Sequence, residues 1–177
     1  LKCSDTREVS FIDAKVPKSN LIGEENHGFK VALSLLDNGR IGVGAQALGI
    51  AEAAFREAFS YSKERKQFGR AISEFQAIQF KLADMATQID AAKLMVYRAA
   101  VLNDAEGLHS REISMAKLFS TEMSNYVVDE AVQIHGGYGY VKEYAVERYF
   151  RDARVTEIYE GTSEAQRIVI SRSLLKG

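Results

Sequence analysis

Proline occurs once in this chain, at Pro17, and past that point nothing forces the backbone out of a helix. From Gly28 onward the apolar residues recur at helical spacing. Phe29, Ala32, Leu33 and Leu36 keep i, i+3, i+4, i+7, and Leu48, Ala51, Phe55 and Phe59 continue it. This predicts a first helix over 28–63, with a bend at Asn38-Gly39. Lys66-Gln67-Phe68-Gly69-Arg70 breaks the period and reads as a loop. A second helix is expected from Ser73, where Ser73-Glu74-Phe75-Gln76 has the form of a capping box. Its stripe is Ile78, Leu82, Met85, Ile89, Ala92, Val96 and Ala99, and Gly107 closes it. A third helix spans 110–134, with Ile113, Leu118, Met123, Tyr126, Val127 and Ile134 inward, and stops at Gly136-Gly137. Shorter ones follow over 143–152 and 162–175. Long helices on short connections are antiparallel neighbours, so the expected class is all-α, an up-down four-helix bundle with additional short C-terminal helices. Ahead of it, Glu8-Val9-Ser10-Phe11-Ile12 alternates and predicts one short β-strand. A solitary strand needs partners, which points to a β-domain encoded upstream. Residues 1–25 are therefore read as the end of that domain and a linker, and 26–177 as the helical domain.

Composition narrows the function classes. With 46% hydrophobic and 27% charged residues, the 177-residue chain can bury a core without disulfide or metal staples. Lys and Arg total 23 against 24 acidic residues, so no global field recruits polyanions and a nucleic-acid partner is not expected. Cys3 stands alone, which excludes an internal disulfide and any Cys-based cluster and fits a reducing compartment. The uncharged run 41–51 includes Gln46 and is far shorter than the ~20 apolar residues of a membrane span. Lys2, Asp5, Arg7 and Glu8 break up any signal-peptide core, and the chain opens on Leu1 rather than Met, so it reads as a piece of a longer protein.

Most candidate motifs have ordinary explanations. His27, His109 and His135 share no ligating spacing, so no metal is expected. Gly42-Val-Gly44-Ala-Gln-Ala47 matches a relaxed dinucleotide fingerprint, but that fingerprint works only after a strand. On a helix, such small residues let two helices approach closely. The stretch from Arg154 to Arg167 is more informative. Glu160 precedes Gly161, whose missing side chain permits close approach, and Thr162 and Ser163 can cap the following helix. A carboxylate held at such a junction inside an apolar bundle would be a strong base. On the residues alone, a structural glutamate at a helix start is the favoured reading.

The run Ile158-Tyr159-Glu160-Gly161-Thr162-Ser163-Glu164 resembles a signature of the flavin-dependent acyl-CoA dehydrogenases. Glu64-Arg65-Lys66-Gln67-Phe68-Gly69, Gln133-Ile134-His135-Gly136-Gly137-Tyr138-Gly139 and Arg151-Asp152-Ala153-Arg154 resemble others, in the family's order. The resemblance covers the whole chain, is closest to the short-chain, butyryl-CoA type, and includes Leu36-Asp37-Asn38-Gly39-Arg40-Ile41-Gly42. The family has an N-terminal helical, a middle β and a C-terminal helical domain, and this chain resembles the last strand of the second plus the third.

The resemblance implies α,β-dehydrogenation of an acyl-CoA to trans-2-enoyl-CoA, with FAD as cofactor and electron-transfer flavoprotein as electron acceptor. It implies Glu160 as the catalytic base, and Asp37, Asn38, Gly39, Arg40 and Gly161 at the substrate. Cofactor contacts would come from Arg65 and Gln76, from Gln133, Ile134, His135, Gly136 and Gly137, and from Thr162, Ser163 and Glu164. Arg65 and Gln76 match residues that reach the FAD of a neighbouring subunit, which implies a homodimer or homotetramer. The compartment implied is the cytoplasm in a bacterium and the mitochondrial matrix in a eukaryote. Some members carry the base at the position of Gly39, which cannot serve here. Ala165 departs from the isoleucine common at its place. Two other readings stand beside this one: a non-catalytic helical oligomerisation scaffold, and a relative of the longer acyl-CoA oxidases. Taken alone, a piece of this extent is expected to fold but to be colourless and inactive.

Overall fold

The computed structural model describes residues 1–105 and 109–176, and the side chain of Asp37 lies outside the description. Gly107, expected to close the second helix, also falls outside it. Helices dominate: α1 (Gly28–Glu64), α2 (Gln76–Asn103), α3 (Ser110–His135), α4 (Val146–Thr156) and α5 (Ser163–Lys176). Side-chain contacts give the directions. Gly44 of α1 lies against Ser120 and Lys117 of α3, and Tyr61 of α1 stacks on His135 of α3, so these two helices run the same way. Lys93 of α2 pairs with Glu52 of α1, and Lys81 with Glu130 of α3, so α2 runs opposite to both. The three long helices are up, down, up. The fourth side is built by α4 and α5, both packed on α3.

The predicted stripes form the core. Met85, Ile89, Ala92, Val96 and Ala99 of α2 are buried, as are Ile113, Met123, Val127 and Ile134 of α3. Of these, Met85, Ile89, Ala92, Met123, Val127 and Ile134 share one cluster with Leu48, Ala51, Ala54 and Ala58 of α1, where alanines let the helix axes come close, while Ala99 and Ile113 form a second with Ala116. Gly44 acts in the same way, since a Cβ there would stand 3.1 Å from Ser120 Oγ and 3.5 Å from Val96 Cγ2. The glycine motif is thus a helix contact on α1.

Four expectations need correction. Residues 8–12 pair with no strand, because among the described residues there is none beside them to supply ladder hydrogen bonds. The segment 66–71 is more than a loop: β1 (Lys66–Gln67) and β2 (Arg70–Ala71) pair antiparallel around Phe68 and Gly69, whose φ of 51° and 81° make the tight reversal a two-residue hairpin requires. The helix expected from Ser73 begins at Gln76. Glu74 accepts the Ala71 N–H (3.2 Å) and winds 72–74 into a 3-10 turn instead. The start of α1 is helical but Phe29 and Leu33 are exposed, an apolar stripe that no other described element covers. Among the described residues, no helix is long and apolar enough to cross a membrane.

Candidate active site

The chain between α4 and α5 is short and sharply folded. Ile158 and Tyr159 continue the last turn of α4 through N–H bonds to the Val155 carbonyl (2.9 and 3.2 Å), and the Ser163 N–H returns to the Glu157 carbonyl (3.0 Å). Tyr159 donates its hydroxyl to Gln46 Oε1 of α1, tying the loop to the bundle. The reversal happens at Glu160 and Gly161, with φ of 53° and 91°. A glutamate in the left-handed region carries a penalty of about 1–2 kcal/mol, and such strain persists only where surrounding contacts impose it.

This backbone directs the Glu160 side chain onto α1. A Cβ built on Gly39 would lie 2.6 Å from Glu160 Oε2 and 3.0 Å from its Cδ, so the carboxylate occupies the room that glycine leaves. Arg40 is one residue on, its Nε 3.8 Å from where a Cβ on Gly161 would stand. Asn38 is exposed beside them, and the backbone of Asp37 is helical. Of the helix-start residues, Thr162 accepts the Ala165 N–H (3.3 Å), while Ser163 is buried. The Glu164 carboxyl is held below the usual range, first by its own backbone N–H at the head of α5 and then by the Thr162 hydroxyl. Among the described residues, the peptide N–H groups of Glu160 and Gly161 have no acceptor within the chain.

Two buried side chains that sequence reading missed complete the site. Lys117 of α3 is fully buried and donates through Nζ to the Gly161 carbonyl (2.8 Å). Burial pushes its pKa down to about 8. The charges of Glu157, Glu160 and Glu164 oppose that shift, while Arg40 adds to it. Gln166 of α5, also fully buried, donates to the same carbonyl (2.9 Å) and to that of Glu160 (3.4 Å). The space left by the missing Gly161 side chain therefore belongs to Gln166 Nε2, 2.6 Å from an added Cβ, and not to a ligand. One signal for Lys117 was available: it interrupts the inward stripe between Ile113 and Met123.

The remaining cofactor candidates gather at the other end of the bundle. Arg65, Ile134, His135, Gly136 and Gly137 line one groove of about 500 Å³ with Ile72 and Tyr138. Gly136 ends α3 at φ 60° and ψ −136°, a conformation closed to most side chains, and its N–H reaches the carbonyl of Gln133. No atom lies within 4 Å of a Cβ added to Gly136 or Gly137. Gln76 is exposed at the head of α2. A guanidinium facing open glycine backbone, with Ile72 and Ile134 as apolar walls, fits part of a flavin dinucleotide. From 39 to 61 along α1 is about 33 Å at 1.5 Å per residue, so the Glu160 end and the Arg65 end are too far apart for one dinucleotide to touch both.

His135 is a core histidine rather than a ligand. It stacks on Tyr61 at 4.2 Å, its Nδ1 bonds the Ala131 carbonyl (2.8 Å), and burial holds its pKa below 6.5. Among the described residues no cluster of His, Cys, Asp and Glu is placed to hold a metal ion. The unfolded chain takes up the imidazole proton first, so the stability tied to neutral His135 is present above pH 6.5 and lost as pH falls below it. The thermal midpoint should decline below pH 6.5, and His135→Phe should flatten that decline. An unchanged slope in the variant would refute the assignment.

The family model of the acyl-CoA dehydrogenase C-terminal domain matches residues 26–175. Caffeyl-CoA reductase-Etf complex subunit CarC of Acetobacterium woodii is 55% identical over 97% of this chain, which spans 45% of that relative. The structure of butyryl-CoA dehydrogenase from Megasphaera elsdenii superposes with a TM-score of 0.92 at 52% identity, over 93% of this chain and 43% of that one. An acyl-CoA dehydrogenase from Bacillus anthracis, solved with FAD, gives a TM-score of 0.86 at 36% identity, over 93% of this chain and 32% of its own. The chain thus spans less than half the length of the proteins it matches.

Proposed function

The chain belongs to the acyl-CoA dehydrogenase family, as its C-terminal helical domain, and from that premise we propose that it supplies the catalytic base for α,β-dehydrogenation of a short-chain acyl-CoA. Residues 26–177 are that domain, and 1–25 belong to the end of the middle β-domain. The observation that carries the reading is the Glu160 carboxylate lying in the space over Gly39. The two places where the family holds its base converge there, and only one bears a carboxylate.

Glu160 takes the proton from the α-carbon. The developing enolate oxygen receives the peptide N–H of Glu160, a donor without an acceptor among the described residues. FAD, when bound, would supply the hydride acceptor for the β-hydrogen, with an electron-transfer flavoprotein as the onward electron acceptor. Arg40, with Asp37 and Asn38, meets the CoA part of the substrate. The naming of one relative as a reductase supports the same residues working in reverse, with Glu160 returning the proton.

Arg65, Gln76 and the backbone of 133–137 hold the FAD of a neighbouring subunit, while Thr162, Ser163 and Glu164 serve the one facing Glu160. The separation of the two ends supports this division and hence a homodimer or homotetramer. Phe80, Leu94, Tyr97 and Val101 are exposed along one face of α2, as a subunit contact needs. Phe68 is 92% exposed at the hairpin tip beside Arg65, touching Phe75 edge-on. Phe68→Asp in the holoenzyme should weaken association and FAD retention together and leave the thermal midpoint of the separated subunit unchanged. Sedimentation and flavin absorbance across a concentration series test this, and native assembly with full FAD would refute it. Glu160→Gln turnover, treated below, tests the base, and a series of acyl-CoA lengths tests the chain preference.

A further inference from the structure

We propose that Lys117 and Gln166 are positioning residues for the base, a buried clamp from two helices that fixes the Gly161 carbonyl and through it the direction of Glu160. The inference rests on Glu160 being the base. Its grounds are geometric. Lys117 comes from α3 and Gln166 from α5, yet both donate to one oxygen, at 2.8 and 2.9 Å, and both side chains are fully buried. Gln166 also reaches the Glu160 carbonyl at 3.4 Å, so both peptide groups that flank the Gly161 α-carbon are held.

The clamp answers a need created by the backbone. Glu160 and Gly161 both adopt positive φ, a state a glutamate leaves readily unless something holds it. Without these bonds the loop is free to relax Glu160 out of its positive φ, which swings the carboxylate off Gly39 and turns the neighbouring N–H groups. Stability alone is a poor reason for such a lysine, since buried charges are often replaced by apolar residues without loss. Here the amine stands among Arg40 of α1, Glu157 and Glu160 of the α4–α5 connection and Glu164 of α5, with its hydrogen bond going to the loop backbone.

The test uses the holoenzyme carrying Lys117→Met or Gln166→Met, each close in volume and lacking the donor. Butyryl-CoA kinetics are measured with ordinary and α-deuterated substrate, alongside FAD content and thermal midpoint. Expected are a fall in kcat of about 10–100-fold for Lys117→Met and at least about 3-fold for Gln166→Met. KM should stay within about 2-fold, FAD should remain bound and the α-deuterium effect should rise, because proton removal becomes the slow step. Lys117→Arg should recover part of the loss. A kcat within about 2-fold of native in both variants overturns the inference. So does a loss that follows FAD content while the isotope effect stays unchanged. If Lys117→Met does not fold, Gln166→Met decides by the same criteria. Glu160→Gln, run in parallel, separates the two levels. An active Glu160→Gln enzyme removes the base assignment and the clamp with it, whereas an inactive one beside native clamp variants removes the clamp alone.

Discussion

Glu160→Gln in the holoenzyme should lower turnover by about 10³–10⁴-fold with FAD still bound, because the amide keeps the shape of the side chain and cannot take a proton. Steady-state oxidation of butyryl-CoA and the flavin absorbance of the same sample measure both parts. Turnover within an order of magnitude of native would sink the assignment. The geometry adds a sharper version. Gly39→Glu alone should fit poorly, since its Cβ would meet Glu160 Oε2 at 2.6 Å. Combined with Glu160→Gly, which empties that space and suits the φ of 53°, it should restore measurable activity to the otherwise inactive chain. A paired variant no better than Glu160→Gly would show that the two positions do not share one reaction centre.

Gly161→Ala should be nearly as damaging, though it removes no functional group. The residue sits at φ 91°, where an L side chain is strained by about 1–2 kcal/mol. Its new Cβ would also stand 2.6 Å from the buried Gln166 Nε2. Displacing that amide strands a buried donor, at a further cost of about 1–3 kcal/mol. The thermal midpoint should fall by about 5–15 °C and kcat by more than about 100-fold. Gly161→Ala with Gln166→Ser, which opens the space, should regain the midpoint before it regains activity. A Gly161→Ala enzyme with native midpoint and rate would contradict the packing described around the loop.

Much of the fold was legible because burial here follows period. Met85 to Ala99 keep one helical face turned inward, and their burial needs no information from outside α2. Phe29 and Leu33 obey the same period yet are exposed, since periodicity reports that a face seeks a partner without saying whether these residues include it. Ser73-Glu74-Phe75-Gln76 has the form of a helix start, but the hairpin brings the Ala71 N–H to Glu74, which commits that carboxylate to a 3-10 turn, and α2 begins only after Phe75. Glu160 was visible as a carboxylate at a helix start, but its direction depends on two positive φ angles that no spacing rule announces. Lys117 hid for a simpler reason. A lysine is assumed to find water, and only the meeting of α3 with the α4–α5 loop shows that this one does not.

Helix α1 has a consequence for how such a protein can change over evolutionary time. It is one uninterrupted element of 37 residues, about 55 Å long, with Gly39 and Arg40 about a third of the way along and Arg65 just past its far end. Side chains along it can be exchanged one by one, but its length cannot drift freely. Inserting a single residue between Gly44 and Tyr61 would turn one end against the other by about 100° and shift it by about 1.5 Å. Glu160 would then lose its niche, or Tyr61 its stack on His135. Only insertions close to whole turns, about 7 or 11 residues, preserve the phase, and these would lengthen the distance between the two ends by about 10 Å or more. Gains and losses of sequence should therefore collect in the connections between helices, while α1 keeps its span as a fixed gauge between the Glu160 niche and the Tyr61–His135 stack.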